Sequence, residues 1–308
     1  MREPSLGLVC GKKGVGKSYT TFGMLLDYVS GKYAGGGLLL PARRVLILDV
    51  NDEYGEVEYN GYKYKVASID REFVQKFSVH PKIEIRRIRP INPDGRKWGL
   101  KEIADTLFFI LEYYSGGLLV IEDINRYVSD SLPNDLIGAI CTNRHRDLDI
   151  IAQFQSVGRV TPKLWQNANW MRFHKNADSI DKHKTKAEDK YKIVKICENM
   201  VNDQVIQGNK RFNVFIDLDT ERINGNYTVE MLSKAVIKYL IDNKNTIVKT
   251  YVEYHETINS DAEKSEGGII LPSKKLSINE MKQKTYAKYF DQLVEETMLE
   301  CCSERMVK

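Results

Sequence analysis

"GKKGVGKS", residues 11–18, fits the phosphate-loop pattern G-x-x-x-x-G-K-[ST] at every fixed position. In this pattern the glycines let the backbone wrap a phosphate group, and successive N–H groups point into the loop. Lys17 can then reach the β- and γ-phosphates, and the Ser18 hydroxyl can bind Mg²⁺. The stretch therefore predicts a site for ATP and Mg²⁺. Its candidate binding residues are Gly11, Lys12, Lys13, Gly14, Val15, Gly16, Lys17, Ser18 and Tyr19.

The segments on either side of this loop support the same interpretation. An apolar run at 6–10 predicts a strand before the loop, and 19–30 predicts a helix after it that ends at Gly31. The amino end of such a helix favours phosphate through its dipole. A chance glycine-rich turn would not combine a preceding strand, a following helix and every fixed position of the pattern.

Length and composition limit the remaining possibilities. The 308 residues suffice for one α/β domain with an appendage, and a net charge of +4 is too small to indicate a partner. No apolar stretch is long enough to span a bilayer, and the early phosphate-loop strand leaves no room for a signal peptide. The five cysteines, with an odd count and no metal-site spacing, predict reduced thiols in a cytosol.

Apolar runs alternate with helical patterns along the chain, which predicts a mostly parallel central sheet flanked by helices. The predicted strands are 6–10, 45–50, 83–89, 118–121, 149–154 and 170–174. Helices are predicted at 100–114, 135–142 and 228–243, and a late hairpin at 211–218 and 221–227. We therefore expect an ATPase domain over residues 1–250.

The C-terminal part of the chain has a different character. Polar residues at 251–275 predict a linker or exposed loop, and Ser277 with Glu280 forms a capping box that opens a helix within 276–308. One face of this helical extension is apolar, which fits packing on the core and equally docking on a neighbouring subunit or partner. That face carries Tyr286, Phe290, Leu293, Thr297 and Met298.

The stretch GLLVIEDINRY, residues 117–127, predicts the second half of an ATPase site. In a Walker B element the first acid after an apolar strand holds Mg²⁺, and the next activates the attacking water. The usual order of Asp then Glu is reversed here, but shifting the register by one would turn the buried face of the strand outward. Glu122 is therefore the predicted metal-side acid and Asp123 the predicted base. The alternative is that Asp123 caps a following helix.

Two further polar elements flank the predicted strand 149–154. Arg144 and Arg146 precede it, and an arginine fork is suited to act as a finger in a neighbouring subunit's site, although a solvated turn is the alternative. Gln155 follows the strand, where ligands of parallel sheets bind, and can sense the γ-phosphate. Gln153 faces the same way but lies deeper, so we prefer Gln155.

Together these motifs resemble those of the FtsK–HerA superfamily of P-loop ATPases, ring motors that pump DNA. VLILDVNDEYGE (45–56) is similar to the family's second strand, with Asp49, Glu53 and Tyr54 at the matching positions. DIIAQFQS (149–156) is similar to the strand that ends in the family's sensor glutamine, and VTPKLWQNANWMRFHKNADSID (160–181) to the segment that follows. The resemblance covers residues 6–181 and weakens near 212–225, and the order of Glu122 and Asp123 departs from it.

The resemblance implies a RecA-like (ASCE) P-loop ATPase that works as a homo-oligomeric ring on double-stranded DNA. Because the chain lacks a membrane helix and large extra domains, it looks most like a viral or phage genome-packaging ATPase. Such a protein would act in the host cytoplasm and dock on a capsid portal or vertex protein. Basic residues could line its DNA channel, with salt bridges at a subunit interface or a solvated helix face as alternatives. The candidates are Arg86, Arg87, Arg89, Arg96, Lys97, Trp98, Lys175, Lys182, Lys184, Lys186, Lys190, Lys192 and Lys195.

Two other functions remain open at this point. One is an assembly or conjugation ATPase of the same superfamily that acts at a membrane. The other is a nucleotide-binding structural or regulatory protein with little turnover, which the reversed acids at Glu122 and Asp123 keep in consideration.

Overall fold

An eight-stranded sheet lies at the centre of the structure, a computed structural model that describes residues 3–34, 37–92, 94–124, 134–244, 290 and 293–302. Two small two-stranded sheets accompany it. The strands are β1 (Leu6–Cys10), β2 (Lys32–Ala34), β3 (Gly37–Leu40), β4 (Arg44–Leu48), β5 (Glu56–Tyr59), β6 (Tyr62–Lys65), β7 (Ile85–Ile88), β8 (Gly117–Ile121), β9 (Asp149–Phe154), β10 (Trp170–Phe173), β11 (Val214–Asp217) and β12 (Arg222–Asn224).

Helices connect these strands. They are α1 (Lys17–Ser30), α2 (Val74–Ser78), α3 (Leu100–Tyr113), α4 (Asn134–Cys141), α5 (Pro162–Asn167), α6 (Lys184–Ala187), α7 (Tyr191–Ile206) and α8 (Val229–Asp242). A further helix covers residues 293–301. Single 3₁₀ turns lie at Arg71–Phe73, Asn143–Arg146, Val157–Arg159, Ile180–His183 and Glu188–Lys190.

The order of strands explains where a ligand can bind. The large sheet runs β12-β11-β10-β1-β9-β8-β4-β7, and its strands from β10 to β7 are parallel. At one edge of this sheet, β11 pairs antiparallel with β10 and also with β12. The carboxyl ends of β1, β9, β8 and β4 therefore lie side by side, and the loops that follow them share one edge of the sheet. The arrangement confirms the predicted RecA-like P-loop fold.

Each face of the sheet is covered by its own hydrophobic core. Alternate residues of β1 point to opposite faces, so Leu6, Leu8 and Cys10 join one core and Val9 the other. The larger core includes apolar residues of α3, α4, α5, α7 and α8, whereas the smaller one packs α1 and the β5–β6 hairpin. All of the β1 residues are buried, as expected of a central strand covered on both sides.

The predicted elements agree with these bounds to within one or two residues at most ends. Strands 6–10 and 149–154 are as predicted, and the late hairpin is present as β11 and β12 with shorter strands. The prediction missed the β2–β3 and β5–β6 hairpins and the long helix α7, whose face toward the core includes the charged residues Lys195 and Glu198.

The described part of the C-terminal segment packs on the main core. Phe290, Leu293 and Met298 contact it, and Thr297 is buried there. Cys302 pairs with Ile223 of β12, which adds a backbone contact. Core packing is thus the observed role of this face, while Tyr286, the Ser277–Glu280 capping box and the boundaries at 250 and 275 lie outside the described residues.

No helix among the described residues is both long and apolar enough to cross a bilayer. The five cysteines are free thiols.

Candidate active site

The phosphate loop follows β1 and is tied to the ends of its two neighbours in the sheet. Gly11 N donates to Phe154 O (3.1 Å) at the end of β9, and Lys12 N donates to Lys175 O (2.8 Å) just after β10. Gly14 and Gly16 have φ angles of 81° and 89°, a region that side chains with a Cβ adopt only with strain. The loop therefore has the conformation that its sequence predicts.

A histidine lies beneath the loop. A Cβ added at Gly11 would lie 2.6 Å from His174 Cβ, so only glycine fits this position. Burial lowers the pKa of His174 to about 3, and Arg172 and Lys17 act in the same direction. The imidazole is therefore neutral and adds no positive charge under the loop.

Lys17 occupies the centre of the loop. Its Nζ donates to Gly11 O (2.6 Å) and to Lys12 O (3.1 Å), so the ammonium group is held by loop carbonyls. Burial lowers the pKa of Lys17, while the nearby carboxylates of Asp123 and Glu53 oppose this shift. To reach a phosphate the ammonium must exchange these two carbonyls for phosphate oxygens.

A tight turn after β4 carries polar groups to the loop. Asp49 is fully buried, and its carboxylate accepts hydrogen bonds from Glu53 N (2.8 Å) and Tyr54 N (3.1 Å). Arg87 Nη1 of β7 pairs with the same carboxylate at 2.6 Å. This network fixes the turn, so that Asn51 and Glu53 extend into the site.

Asn51 binds both of the acidic residues that follow β8. Asn51 N donates to Glu122 Oε2 (2.9 Å), and Asn51 Nδ2 donates to Asp123 Oδ2 (2.8 Å). Gln155 Nε2 donates to the same Asp123 oxygen at 2.6 Å. Both acids are buried, and the positive φ of Asp123 (43°) turns the chain away from the strand.

The environment of Glu122 differs from that of a solvated carboxylate. Burial raises the pKa of Glu122 to about 8, and repulsion from Asp49 and Glu53 adds to the shift. The hydrogen bond from the Asn51 backbone opposes it. The site thus contains a carboxyl group whose ionisation needs a further positive charge.

The remaining residues around the loop complete its walls. The Ser18 hydroxyl donates to Glu53 Oε2. Tyr19 packs against Tyr59 with ring centroids 4.8 Å apart and ring planes tilted by 41°, and its hydroxyl donates to Asn60 Oδ1 (3.2 Å). Gln153 lies deeper, as predicted.

A cleft of about 750 Å³ opens between these groups. Most of the predicted site residues line it, namely Lys13, Gly14, Gly16, Lys17, Ser18, Tyr19, Glu122, Asp123 and Gln155. Gly11, Lys12 and Val15 are part of the loop but not of this lining. Asn51 and Arg211 also line the cleft and were not predicted as site residues. The polar segment DVNDEY contains Asn51 and could have indicated its role in the site. Arg211 lies far from the phosphate loop in sequence, so no local pattern connects the two.

The two predicted finger arginines lie elsewhere. They belong to the turn Asn143–Arg146 before β9, at the sheet edge opposite to the phosphate loop. Arg146 accepts a hydrogen bond from Gly116 N (3.2 Å) through its carbonyl, and its guanidinium donates to Glu112 O. Arg146 therefore does not line this chain's own cleft, and the side chain of Arg144 lies outside the described part of the structure. A role of either arginine in a neighbour's site stays a prediction.

Many of the basic residues predicted as DNA contacts are engaged within the chain. Arg87 and Arg89 pair with Asp52, Arg86 with Glu84, and Arg96 with Glu102. Lys195 is buried between Asp181 and Glu198, at 2.6 and 2.9 Å. Lys190 and Lys192 pair with Glu221 and Glu300. The structure pairs these residues within one chain, whereas the alternative considered for the arginines was salt bridges at a subunit interface.

The described residues include no cluster of three or more His, Cys, Asp or Glu side chains that could enclose a metal ion. A nucleotide-bound Mg²⁺ needs no such cluster, because it keeps several waters and uses one or two protein ligands with phosphate oxygens.

Comparisons with known proteins add structural neighbours. No protein-family model matches the sequence, and no curated protein matches it. The genome-packaging NTPase of Sulfolobus turreted icosahedral virus 2, in complex with AMP, is similar at 16% identity over 74% of this chain and 99% of that one, with a TM-score of 0.45. The DNA-packaging ATPase of Sulfolobus turreted icosahedral virus has 16% identity over 72% and 97%, with a TM-score of 0.43.

A more distant neighbour is the N-terminal domain of zonular occludens toxin from Neisseria meningitidis. It has 13% identity over 56% of this chain and 76% of that one, with a TM-score of 0.31. The two viral neighbours are a genome-packaging NTPase and a DNA-packaging ATPase.

The raised pKa of Glu122 predicts a pH-dependent stability effect. Between the ordinary glutamate pKa of 4.5 and about 8, the folded chain holds a proton that the unfolded chain has released, so stability falls as pH rises. Glu122→Gln keeps the carbonyl acceptor for Asn51 N and removes this fall. In the absence of nucleotide and Mg²⁺, we expect the unfolding free energy of Glu122→Gln, relative to that of wild type, to increase by about 2–4 kcal/mol from about pH 5 to about pH 8. Urea unfolding at a series of pH values measures this change.

Glu58→Gln is the matched control, because Glu58 is exposed on β5. Its stability should follow that of wild type across the same pH range. A constant difference between Glu122→Gln and wild type at every pH would contradict the assigned protonation of Glu122.

Proposed function

We propose that this protein is an ATP-driven motor that translocates double-stranded DNA, most like a viral genome-packaging ATPase. The observation that supports hydrolysis best is the hydrogen-bonding of Asp123 by Asn51 and Gln155 beside a complete phosphate loop. A loop that only stores a nucleotide has no need of a carboxylate fixed by two amides at its edge. The DNA-pumping role rests on the sequence resemblance of the segments around Asp49, Gln155 and Asn169.

Asp123 is the proposed base. Both amides donate to Oδ2, so among the described residues Oδ1 has no hydrogen bond and can accept one from the attacking water. Fixing the carboxylate in this way lowers the entropy cost of orienting the water. Gln155 binds the base directly, so a contact of its amide with the γ-phosphate would couple the nucleotide state to the position of Asp123.

The residues present fit Mg²⁺. The Ser18 hydroxyl lies within hydrogen-bonding distance of Glu53, and burial, together with repulsion from Asp49 and Glu53, raises the pKa of the Glu122 carboxyl. Ser18 and Glu122 would hold the ion, as predicted, with Glu53 next to Ser18. When bound, Mg²⁺ neutralises the negative charge that develops on the phosphate oxygens. Lys17 would contribute its ammonium group to the β- and γ-phosphates.

The proposed motor is a homo-oligomeric ring in the host cytoplasm that docks on a capsid portal or vertex protein. In such a ring Arg144 or Arg146 would complete a neighbour's site, and their position at the edge opposite to the chain's own loop is compatible with a role in trans. Double-stranded DNA would be bound through phosphate contacts, since these supply most of the sequence-independent affinity.

A second candidate is a nucleotide-gated regulatory protein with little turnover. The specific observation in its favour is that Lys17 and Ser18 both make hydrogen bonds to protein groups, so nucleotide binding must first break them. The reversed order of Glu122 and Asp123 would then make hydrolysis slow once the nucleotide is bound. A measurement of ATP turnover distinguishes this candidate from the motor. A membrane-associated assembly or conjugation ATPase would hydrolyse ATP as well and would differ by binding a membrane partner.

The motor makes a direct prediction for Asp123→Asn. Wild type should hydrolyse ATP faster when double-stranded DNA is added, and this stimulation should fall steeply with rising salt. Asp123→Asn keeps the acceptor for Asn51 and Gln155 but cannot take a proton. We expect its turnover to fall by about 10²–10⁴-fold while its affinity for ATP stays within about threefold of wild type, measured by phosphate release and by calorimetric titration.

Asp105→Asn is the control for this change, because Asp105 is exposed on α3 away from the cleft. It should hydrolyse ATP like wild type. Normal turnover of Asp123→Asn would remove Asp123 from the mechanism. Tight ATP binding by wild type with no turnover, with or without DNA, would favour the regulatory protein.

The finger proposal is tested by mixing subunits. Lys17→Ala subunits lack a working phosphate loop but keep both arginines, whereas Arg144→Ala or Arg146→Ala subunits keep the loop. If one arginine acts in trans, one of these pairings should recover hydrolysis that neither variant has alone, because a finger contributes about 10³–10⁵ in rate. Activity of both arginine variants alone, or no recovery in either mixture, would exclude a finger at these positions.

A further inference from the structure

Arg211 reaches the phosphate loop because of the antiparallel edge of the sheet. Strand β11 begins at Val214, which pairs with Phe173, the last residue of β10, and Phe173 pairs with Cys10 at the end of β1. The residues just before β11 therefore lie at the same edge as the phosphate loop. A Cβ added at Gly16 would lie 3.6 Å from Arg211 Cγ and 3.7 Å from Cδ, so the aliphatic part of the arginine covers this glycine.

The guanidinium group of Arg211 has no partner within the described part of the chain. It is exposed, lines the cleft, and makes no hydrogen bond or ion pair there. Other arginines near this edge differ, because Arg87 pairs with Asp49 and Asp52, and Arg89 pairs with Asp52. An unpaired arginine directed into a cleft lined by phosphate-loop residues is available for an anionic ligand.

The position over Gly16 indicates which part of a nucleotide it meets. In a phosphate loop the backbone N–H groups cradle the α- and β-phosphates, and the lysine reaches the β- and γ-phosphates. Lys17 follows Gly16 and occupies the inner side of the loop, where it bonds to Gly11 O and Lys12 O. Arg211 instead covers Gly16 with its aliphatic part, is exposed and lines the cleft.

We infer that Arg211 binds the α/β-phosphate segment of the nucleotide in the same subunit. This inference rests on the proposed nucleotide binding and adds a residue to that site. The planar guanidinium can form two parallel hydrogen bonds with phosphate oxygens, which a lysine cannot. It differs from a finger in two respects, because it acts within one subunit and because it contacts phosphates that ADP retains.

The test compares Arg211→Ala and Arg211→Lys with wild type by calorimetric titration of ATP, ADP and inorganic pyrophosphate, each with Mg²⁺. Loss of a charge-assisted contact in Arg211→Ala should lower the affinities for ATP and ADP by the same factor of about ten. The affinity for pyrophosphate should fall by a similar factor, because pyrophosphate makes the same phosphate contacts without a base. The affinities of Arg211→Lys should lie between those of Arg211→Ala and wild type.

Lys210→Ala is the matched control, since it removes a neighbouring exposed positive charge that does not line the cleft. Its three affinities should equal those of wild type. A loss confined to ATP would assign Arg211 to the γ-phosphate and overturn the inference. A loss for ADP without a loss for pyrophosphate would assign it to the base or ribose and overturn it too, as would unchanged affinities.

These are binding measurements, so they separate the two claims. A wild-type protein that binds ADP but hydrolyses no ATP would contradict the proposed motor and leave the assignment of Arg211 intact. Equal affinities of wild type and Arg211→Ala would contradict that assignment and leave the motor intact.

Discussion

The buried ion pair between Asp49 and Arg87 organises the site. Asp49 follows β4 without any exposure to solvent, and its carboxylate is balanced by Arg87 Nη1 and by two backbone N–H groups of the following turn. Removing one partner from such a pair leaves an uncompensated buried charge, which costs about 3–5 kcal/mol. Because the same carboxylate fixes the turn, it also determines the positions of Asn51 and Glu53.

The electrostatics of the cleft follow from this arrangement. Asp49 is neutralised by Arg87, but Glu122 and Asp123 next to it are bound by neutral amides of Asn51 and Gln155. Burial raises the pKa of Glu122, and the hydrogen bonds from Asn51 oppose this shift without supplying a full positive charge. The folded site therefore favours the binding of a metal cation together with the phosphates of a nucleotide. Proteins commonly sacrifice stability at functional sites in this way.

Local patterns in the sequence predicted the parallel part of the fold well. The phosphate loop, the strand before it and the acids after β8 are each encoded within a few neighbouring residues, and they were located correctly. Strand ends were less accurate, as at 45–50, where Asp49 leaves the strand to bind its own turn. The helix α7 was missed because buried charges such as Lys195 and Glu198, which pair with each other, interrupt its apolar face.

Contacts between distant segments could not be predicted from the sequence. Asn51 bridges two acids that lie more than seventy residues further along the chain, and only the neighbouring position of β4 and β8 brings them together. Arg211 reaches Gly16 only because β11 reverses direction beside β10. For Arg87 the partner was already visible in the sequence. Its positive charge suggested a contact with DNA, but its partner is Asp49, which belongs to another predicted motif.

A crystal structure with Mg²⁺ and a non-hydrolysable ATP analogue tests the central claim most directly, namely that this cleft is a preformed ATP-hydrolysis site. We expect Lys17 Nζ to leave the carbonyls of Gly11 and Lys12 for the phosphates, and Ser18 to exchange Glu53 for the metal. The bonds from Asn51 and Gln155 to Asp123 should persist, with a water on Asp123 in line with the γ-phosphate. Phosphates bound outside the loop, or an Asp123 released from both amides with no water beside it, would contradict the account.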